Sequence, residues 1–261
     1  MTEVAKKFGL TEPGMRGLLS RRGVVLRRTI HTLRHDAFDQ MSPETCYWIG
    51  FLFADGCVTY RPNHLPQISV GLAQRDRDHL ASLRTFLGST SSISAPSPTH
   101  GSCQFSVRSA RLAERLVTLG RYDGPIGEGL DESRDFWRGV VDGDGSIGTY
   151  RRPSPSQSTF SQFRLVGSKR LLESFAAFLR SHSIDGLSVR PHKTIYTIGT
   201  TCGPAEKIVT LLYSEATVAL ARKAEVAKKI MAVDLLRQEK AASEADARNY
   251  SMSAEQRKPA R

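Results

Sequence analysis

Apolar and polar residues alternate over 67–72, where Ile68, Val70 and Leu72 are separated by Ser69 and Gly71 behind Gln67, and this predicts a half-buried strand. From Asp76 to Gly88 the period changes. Leu80, Leu83, Phe86 and Leu87 fall at helical spacing, and Gly88 is a stop signal. Pro96 to Ser102 reads as a loop, and Cys103, Phe105 and Val107 then alternate with Gln104, Ser106 and Arg108 in another strand. Arg111 to Leu119 predicts a second helix. A similar succession returns downstream: strands near 146–150 and 160–166, a helix over Lys169 to Ser181, strands near 187–190 and 194–198, and a helix near Ala205 to Tyr213. With an apolar helix ahead of each series, the predicted order is αββαββα, used twice, an α+β chain. A long charged helix is expected from Glu215 to about Lys240, and 241–261 has too few apolar residues to fold.

Duplication is visible in the residues as well as in the pattern. Residues 47–56 read YWIGFLFADG and residues 136–145 read FWRGVVDGDG, 89 positions later. Leu80 to Ile93 resembles Leu171 to Ile184, and Ala113 to Leu119 (AERLVTL) resembles Ala205 to Leu211 (AEKIVTL). Three echoes in one order at nearly one offset argue for a repeated unit of about 90 residues.

The two decapeptides carry the candidate chemistry. Gly50 and Ala54 are four apart on one helix face, and so are Gly139 and Gly143. Small residues so spaced let two helix backbones approach closely, and these two helices are expected to form the joint between the units. Each helix then ends in Asp-Gly, at Asp55-Gly56 and Asp144-Gly145. An acid at a helix C-terminus opposes the macrodipole. Two such ends packed together would form a cluster of hard oxygens suited to Mg²⁺, with Mn²⁺ as a substitute. Asp142 stands opposite Phe53 in the register and is read as a non-catalytic residue of the motif.

Composition adds direction. Lys and Arg number 37 against 26 Asp and Glu, a net charge of +11 on 261 residues, which favours a polyanionic partner. Four cysteines with no C-x-x-C spacing argue against a zinc finger and fit free thiols in a reducing compartment. No apolar run is long enough for a membrane span, and no membrane partner is expected.

WIGFLFADG and WRGVVDGDG resemble the LAGLIDADG signature of homing endonucleases, over roughly residues 44–230. That resemblance implies a pseudo-symmetric monomer whose two αββαββα repeats form a saddle of antiparallel sheets on double-stranded DNA. It implies metal held by Asp55 and Asp144, with the carbonyls of Ala54 and Gly143 as further ligands. It also points to Lys223 and Gln74 as catalytic neighbours. The first repeat has no lysine, since none occurs between Lys7 and Lys169, and Arg121 is the nearest replacement; this sets equal cleavage of both strands in question. DNA contacts are expected from Arg61, Gln67, Ser69, Gln104, Arg108, Tyr150, Arg152, Gln162, Arg164, Arg190, Lys193 and Tyr196, side chains able to read base edges or hold phosphates.

Residues 1–30 match a helix-turn-helix pattern through Ala5, Gly9, Met15 and Leu18, with Thr11 as N-cap and Pro13 early in the second helix. Arg16, Arg21 and Arg22 would then face DNA. The expected division is 1–30 for this segment, 31–43 for a linker, 44–131 and 132–230 for the repeats, and 231–261 for the helix end and tail. The function expected is site-specific, metal-dependent hydrolysis of double-stranded DNA by a cytoplasmic, nucleoid-associated or phage-encoded protein in a bacterial host. Two alternatives are a non-cleaving DNA-binding regulator on the same scaffold and an RNA maturase. An intein is disfavoured because the chain does not end in an Asn junction.

Overall fold

A computed structural model describes residues 2–24, 31–127, 129–152 and 159–236, so the expected disorder of 241–261 lies outside the described residues. The chain divides into two compact units, Met1–Thr32 and Leu33–Arg261.

In the first unit, helix α1 (Thr2–Lys7) and helix α2 (Glu12–Arg21) are joined by a turn in which Gly9 takes φ 63°. Thr11 caps α2 by accepting from the amide of Gly14 at 3.3 Å, and Ala5 and Met15 are buried. Arg16 is exposed but paired to Glu12 at 2.9 Å, while Arg21 and Arg22 are exposed.

The second unit is built on helices α3 (Pro43–Asp55) and α6 (Arg134–Asp144). Both start from a serine whose side chain caps the first turn, Ser42 to the Thr45 amide and Ser133 to the Phe136 amide. Each runs without a loop into a strand, α3 into β1 (Gly56–Thr59) and α6 into β4 (Gly145–Arg151). Glycine at a helix end commonly serves a left-handed turn. Here both glycines are extended, at φ −86° and −90°, and the reason for glycine is steric. A Cβ would stand 2.4 Å from the Leu52 carbonyl oxygen at Gly56 and 2.5 Å from that of Val141 at Gly145.

The first repeat continues with β2 (Gln67–Ala73), a short 3-10 turn, α4 (Arg77–Phe86), β3 (Ser102–Arg108) and α5 (Ala110–Leu119). The second continues with β5 (Thr159–Gly167), α7 (Lys169–Ser181), β6 (Arg190–His192), β7 (Ile195–Thr201) and α8 (Gly203–Tyr213), followed by a helix α9 across 221–236. The sheets are antiparallel, ordered β1-β2-β3 and β4-β5-β7-β6.

The repeats are not identical. The full αββαββα order is present in the second, whereas the first lacks a strand opposite β6 among the described residues. The Ser- and Pro-rich stretch at that place bonds β3 through the Ser94 and Ser97 amides and the Ser94 hydroxyl, without forming a ladder. Prolines at 96 and 98 have no amide hydrogen to give to a ladder, which limits the pairing. The stretch expected as a linker is also partly core. Phe38 is fully buried against Phe86, Arg34 donates to the Phe86 carbonyl at 3.1 Å, and Pro43 already belongs to α3. An aromatic and an arginine that close over a helix end carry no periodic signal, so the sequence alone gives no hint of this strap.

Candidate active site

The site begins where α3 and α6 touch. A Cβ on Gly50 would stand 2.0 Å from the Phe136 carbonyl oxygen, and one on Gly139 would stand 2.1 Å from that of Tyr47. Gly50 and Gly139 are equivalents in the repeat, and so are Tyr47 and Phe136. The contact is therefore isologous, as in a two-fold dimer, although it lies within one chain. A Cβ on Gly143 would meet the Ala54 Cβ at 2.3 Å, and these two residues are equivalents of each other. Equivalents meet only on the pseudo-dyad, so the next residues, Asp55 and Asp144, flank that axis. Asp55 Oδ2 lies 3.4 Å from the position of that same Gly143 Cβ.

Both acids are partly buried. Burial and the neighbouring Asp144 carboxylate push Asp55 up to about 6, against which Lys223 and Arg222 act. Burial likewise raises Asp144, opposed by a hydrogen bond from Tyr122 and by the Lys223 charge. The Tyr122 hydroxyl donates to Asp144 Oδ2 at 2.6 Å, and Ser168 donates to the Tyr122 carbonyl at 2.8 Å. Tyr122 sits on the turn after α5, closed by Gly120 at φ 131° and its bridge to Ile126. Arg121, beside it, is exposed. Nothing periodic marks a tyrosine in such a turn, and the sequence reading missed it.

Lys223 is 4% exposed, and its ammonium donates to the carbonyls of Val141, Asp142 and Gly145 at 2.6, 2.8 and 2.6 Å. All three protons go to carbonyls at the end of α6, of which Val141 also accepts from the Gly145 amide. Desolvation lowers its pKa to about 8. It is a helix cap supplied from α9, one turn from Asp144, and it holds that end in place.

Asp142 is buried and accepts from Tyr47 at 2.7 Å, Tyr213 at 2.6 Å and the Leu220 amide at 2.6 Å. His79 completes the chain at Tyr47 Oη, 2.9 Å away. Arg138, fully buried, holds the carbonyls of Leu212 and Val218 and pairs with Asp135 at 2.6 Å. Arg222 reaches Asp76 of the first repeat at 3.1 Å. These bonds fix the segment after α8, and through it Lys223, to both repeats. The motif residue read as non-catalytic is thus an anchor.

The expected DNA-facing residues divide by the pleat. Gln67, Ser69, Gln104 and Arg108 lie on the face of the first sheet away from its core, with Gln67 opposite Arg108 and hydrogen-bonded to it. Tyr150, Gln162, Arg164 and Arg190 share the corresponding face of the second. Tyr196 does not: it pairs with Gly167 on the other face and packs against the core. Tyr196 has the same parity as the fully buried Ile198, so the pleat turns both to the core. Arg61, Arg152 and Lys193 are exposed in connections, with Arg152 over the Phe160 ring. Gln74 is exposed in the 3-10 turn after β2, two residues before Asp76.

The donor set suits a hard cation. Among the described residues no cluster of three or more His, Cys, Asp or Glu side chains is placed for a metal. Two carboxylates at a shared axis, with the remaining positions left to carbonyls, water or phosphate, match the sparse protein ligation of Mg²⁺. Burial raises both acids by more than the Lys223 charge lowers them.

Similar solved structures share this fold. The LAGLIDADG meganuclease I-AabMI bound to uncleaved DNA superposes with a TM-score of 0.56 at 13% identity, over 77% of this chain and 92% of that one. The meganuclease I-SmaMI, bound to uncleavable DNA with a TTGT central four, gives 0.57 at 14% identity, over 77% and 91%. The fold is that of the LAGLIDADG homing endonucleases. I-GzeII in complex with its DNA target is a further example, at 0.54 and 13% identity over 77% and 92%. No protein-family profile and no curated protein sequence matches the chain. Its LAGLIDADG architecture therefore rests on packing that little sequence identity is needed to keep.

Proposed function

We propose that this chain is a site-specific endonuclease that hydrolyses double-stranded DNA, acting as one pseudo-symmetric monomer. The observation that carries the proposal is the meeting of Asp55 and Asp144 at the pseudo-dyad of a LAGLIDADG fold. The DNA-bound LAGLIDADG structures and the +11 charge support duplex DNA as the partner. Asp55 and Asp144 would hold Mg²⁺ or Mn²⁺ with help from the Ala54 and Gly143 carbonyls. A cation there supplies an activated water and neutralises charge at the scissile phosphate.

The chain's own residues do the rest. Tyr122 aims the Asp144 carboxylate through its hydroxyl. Lys223 fixes the turn that carries Asp144 and leaves no proton free for the phosphate. Gln67, Ser69, Gln104, Arg108, Gln162, Arg164 and Arg190 present donors and acceptors to base edges and phosphates, with Arg61, Arg152 and Lys193 at the sheet ends. Arg21 and Arg22, with Arg16, offer a second basic contact from the amino-terminal helix pair. Gln74 would reach the reacting phosphate from the β2 end.

A plasmid library with a randomised insert identifies the target by selection. The protein with Mg²⁺ then linearises a plasmid carrying that site, and Asp55→Asn or Asp144→Asn abolishes this while binding persists. Sequence-specific binding without cleavage in either Mg²⁺ or Mn²⁺ would favour the regulator instead.

A further inference from the structure

The two sheets carry a glutamine at the same place and surround it differently. In the first, Val70 of β2 pairs with Gly56, the residue after Asp55, and Gln67 lies three residues further out along the strand. In the second, Leu165 of β5 pairs with Gly145, the residue after Asp144, and Gln162 lies three residues further out. The two glutamines are therefore equivalents about the pseudo-dyad, each about 10 Å along its strand from the turn that carries the acid. Their cross-strand partners differ. Gln67 faces Arg108 of β3, whose place in the second sheet is taken by Thr201 of β7. On its other side Gln162 has Gly148, which brings no side chain.

Arg108 Nε and Nη2 both donate to Gln67 Oε1, at 3.3 and 3.2 Å. A guanidinium has no acceptor, so the amide can meet it only through its oxygen. Arg108 is held by one edge and keeps the parallel N–H pair at its tip, from Nη1 and Nη2. That pair fits the O6 and N7 acceptors of guanine, whereas adenine puts a donor at one of those places. With its oxygen engaged, Gln67 does not accept from adenine N6. Gln162 meets no arginine, and its oxygen and amide hydrogens stay together for adenine N6 and N7.

We propose that the Arg108–Gln67 pair reads a guanine in one half-site and that Gln162 reads an adenine at the equivalent place in the other. This rests on duplex DNA as the partner and not on cleavage. Gln67 is a positioning residue: it fixes a long exposed side chain before the DNA arrives, which lowers the ordering cost of the contact. The target is then a pseudo-palindrome whose symmetry is broken at that base pair.

The test selects duplexes from a randomised pool by gel shift, with the whole protein in Ca²⁺, and a hydroxyl-radical footprint places the centre of the site. The selected site carries a guanine and an adenine at equal distances on opposite sides of that centre. Replacing either base weakens binding about 5–150-fold. In Arg108→Ala the guanine preference vanishes at that position alone, and in Gln162→Ala the adenine preference does. Gln67→Leu leaves the melting temperature unchanged but lowers the guanine preference severalfold. Thr201→Arg, at an exposed position, gives the second sheet the missing arginine and turns its adenine preference into one for guanine. An Arg108→Ala protein weakened equally on every sequence marks a phosphate contact and overturns the proposal. So does a selected site with no guanine that answers to Arg108, or a Thr201→Arg protein that still selects adenine. Specific binding without cleavage would end the nuclease reading and leave this one standing, whereas no selection of any duplex would end both.

Discussion

Gly139→Ala adds one methyl group, and its cost can be worked from the helix joint. The new Cβ would stand 2.1 Å from the Tyr47 carbonyl oxygen, 2.6 Å from the Phe51 nitrogen and 3.1 Å from the Gly50 carbonyl carbon. All three are backbone atoms of α3, so no side chain can turn aside. Real Cβ contacts rarely fall under 3.0 Å, so the helices must separate by about 1 Å. Overpacking of this kind costs about 1–3 kcal/mol, and rigid neighbours put Gly139 at the upper end. Alanine recovers about 1 kcal/mol of helix propensity. The net loss is about 1–2 kcal/mol, or roughly 2–8 °C in melting temperature for a domain of this size. Activity should suffer more, because a shift of about 1 Å at the reacting groups costs about a hundredfold. The control is Gly17→Ala in α2, where nothing lies within 4 Å and alanine should be neutral or slightly stabilising. Melting curves and cleavage of the selected site, measured with DNA affinity, check both. A Gly139→Ala protein that melts and cleaves like the wild type would refute the close-packed joint.

Lys223→Met keeps the stem but removes a buried donor from three carbonyls, of which Val141 still accepts from the Gly145 amide, and should destabilise by about 1–3 kcal/mol, read by urea melting. It should slow cleavage at the Asp144 half-site more than at the other. Tyr122→Phe removes the donor to Asp144 and should lower cleavage or metal affinity by about 10–100-fold with little change in stability, which separates aim from folding. His79 is buried and neutral, with a pKa lowered from 6.5 to about 4, chiefly by desolvation. The unfolded chain takes up its proton below pH 6.5 and the folded chain does not until about 4, so stability falls as pH falls through that window, by up to about 3 kcal/mol. His79→Phe should flatten the slope in that window, seen by denaturation at a series of pH values.

The period-2 and period-3.6 patterns located most strands and helices because burial on one face forces them. The core faces of β2, β3 and β5 are set by Ile68, Val70, Phe105, Phe163 and Leu165. The glycine spacing at 50, 139 and 143 pointed to the joint, because only missing side chains allow that approach. What the sequence did not disclose depends on distant partners. Tyr122 acts from an irregular turn. Phe38 closes over α4 from a stretch that reads as a linker. Lys223 was marked through family resemblance, but its use as a cap requires knowing that α9 returns to the end of α6. Tyr196 was expected to face DNA, but it shares the pleat face of the buried Ile198.

Under the proposed function the acids at 55 and 144 serve one cation. Calorimetric titration of Ca²⁺ into the protein bound to its selected duplex tests this directly, calcium being the ion present with uncleaved target DNA in an I-SmaMI structure. Either Asp55→Asn or Asp144→Asn should weaken binding at least about tenfold, and the double substitution should abolish it. Calcium binding unchanged in both single variants would contradict it.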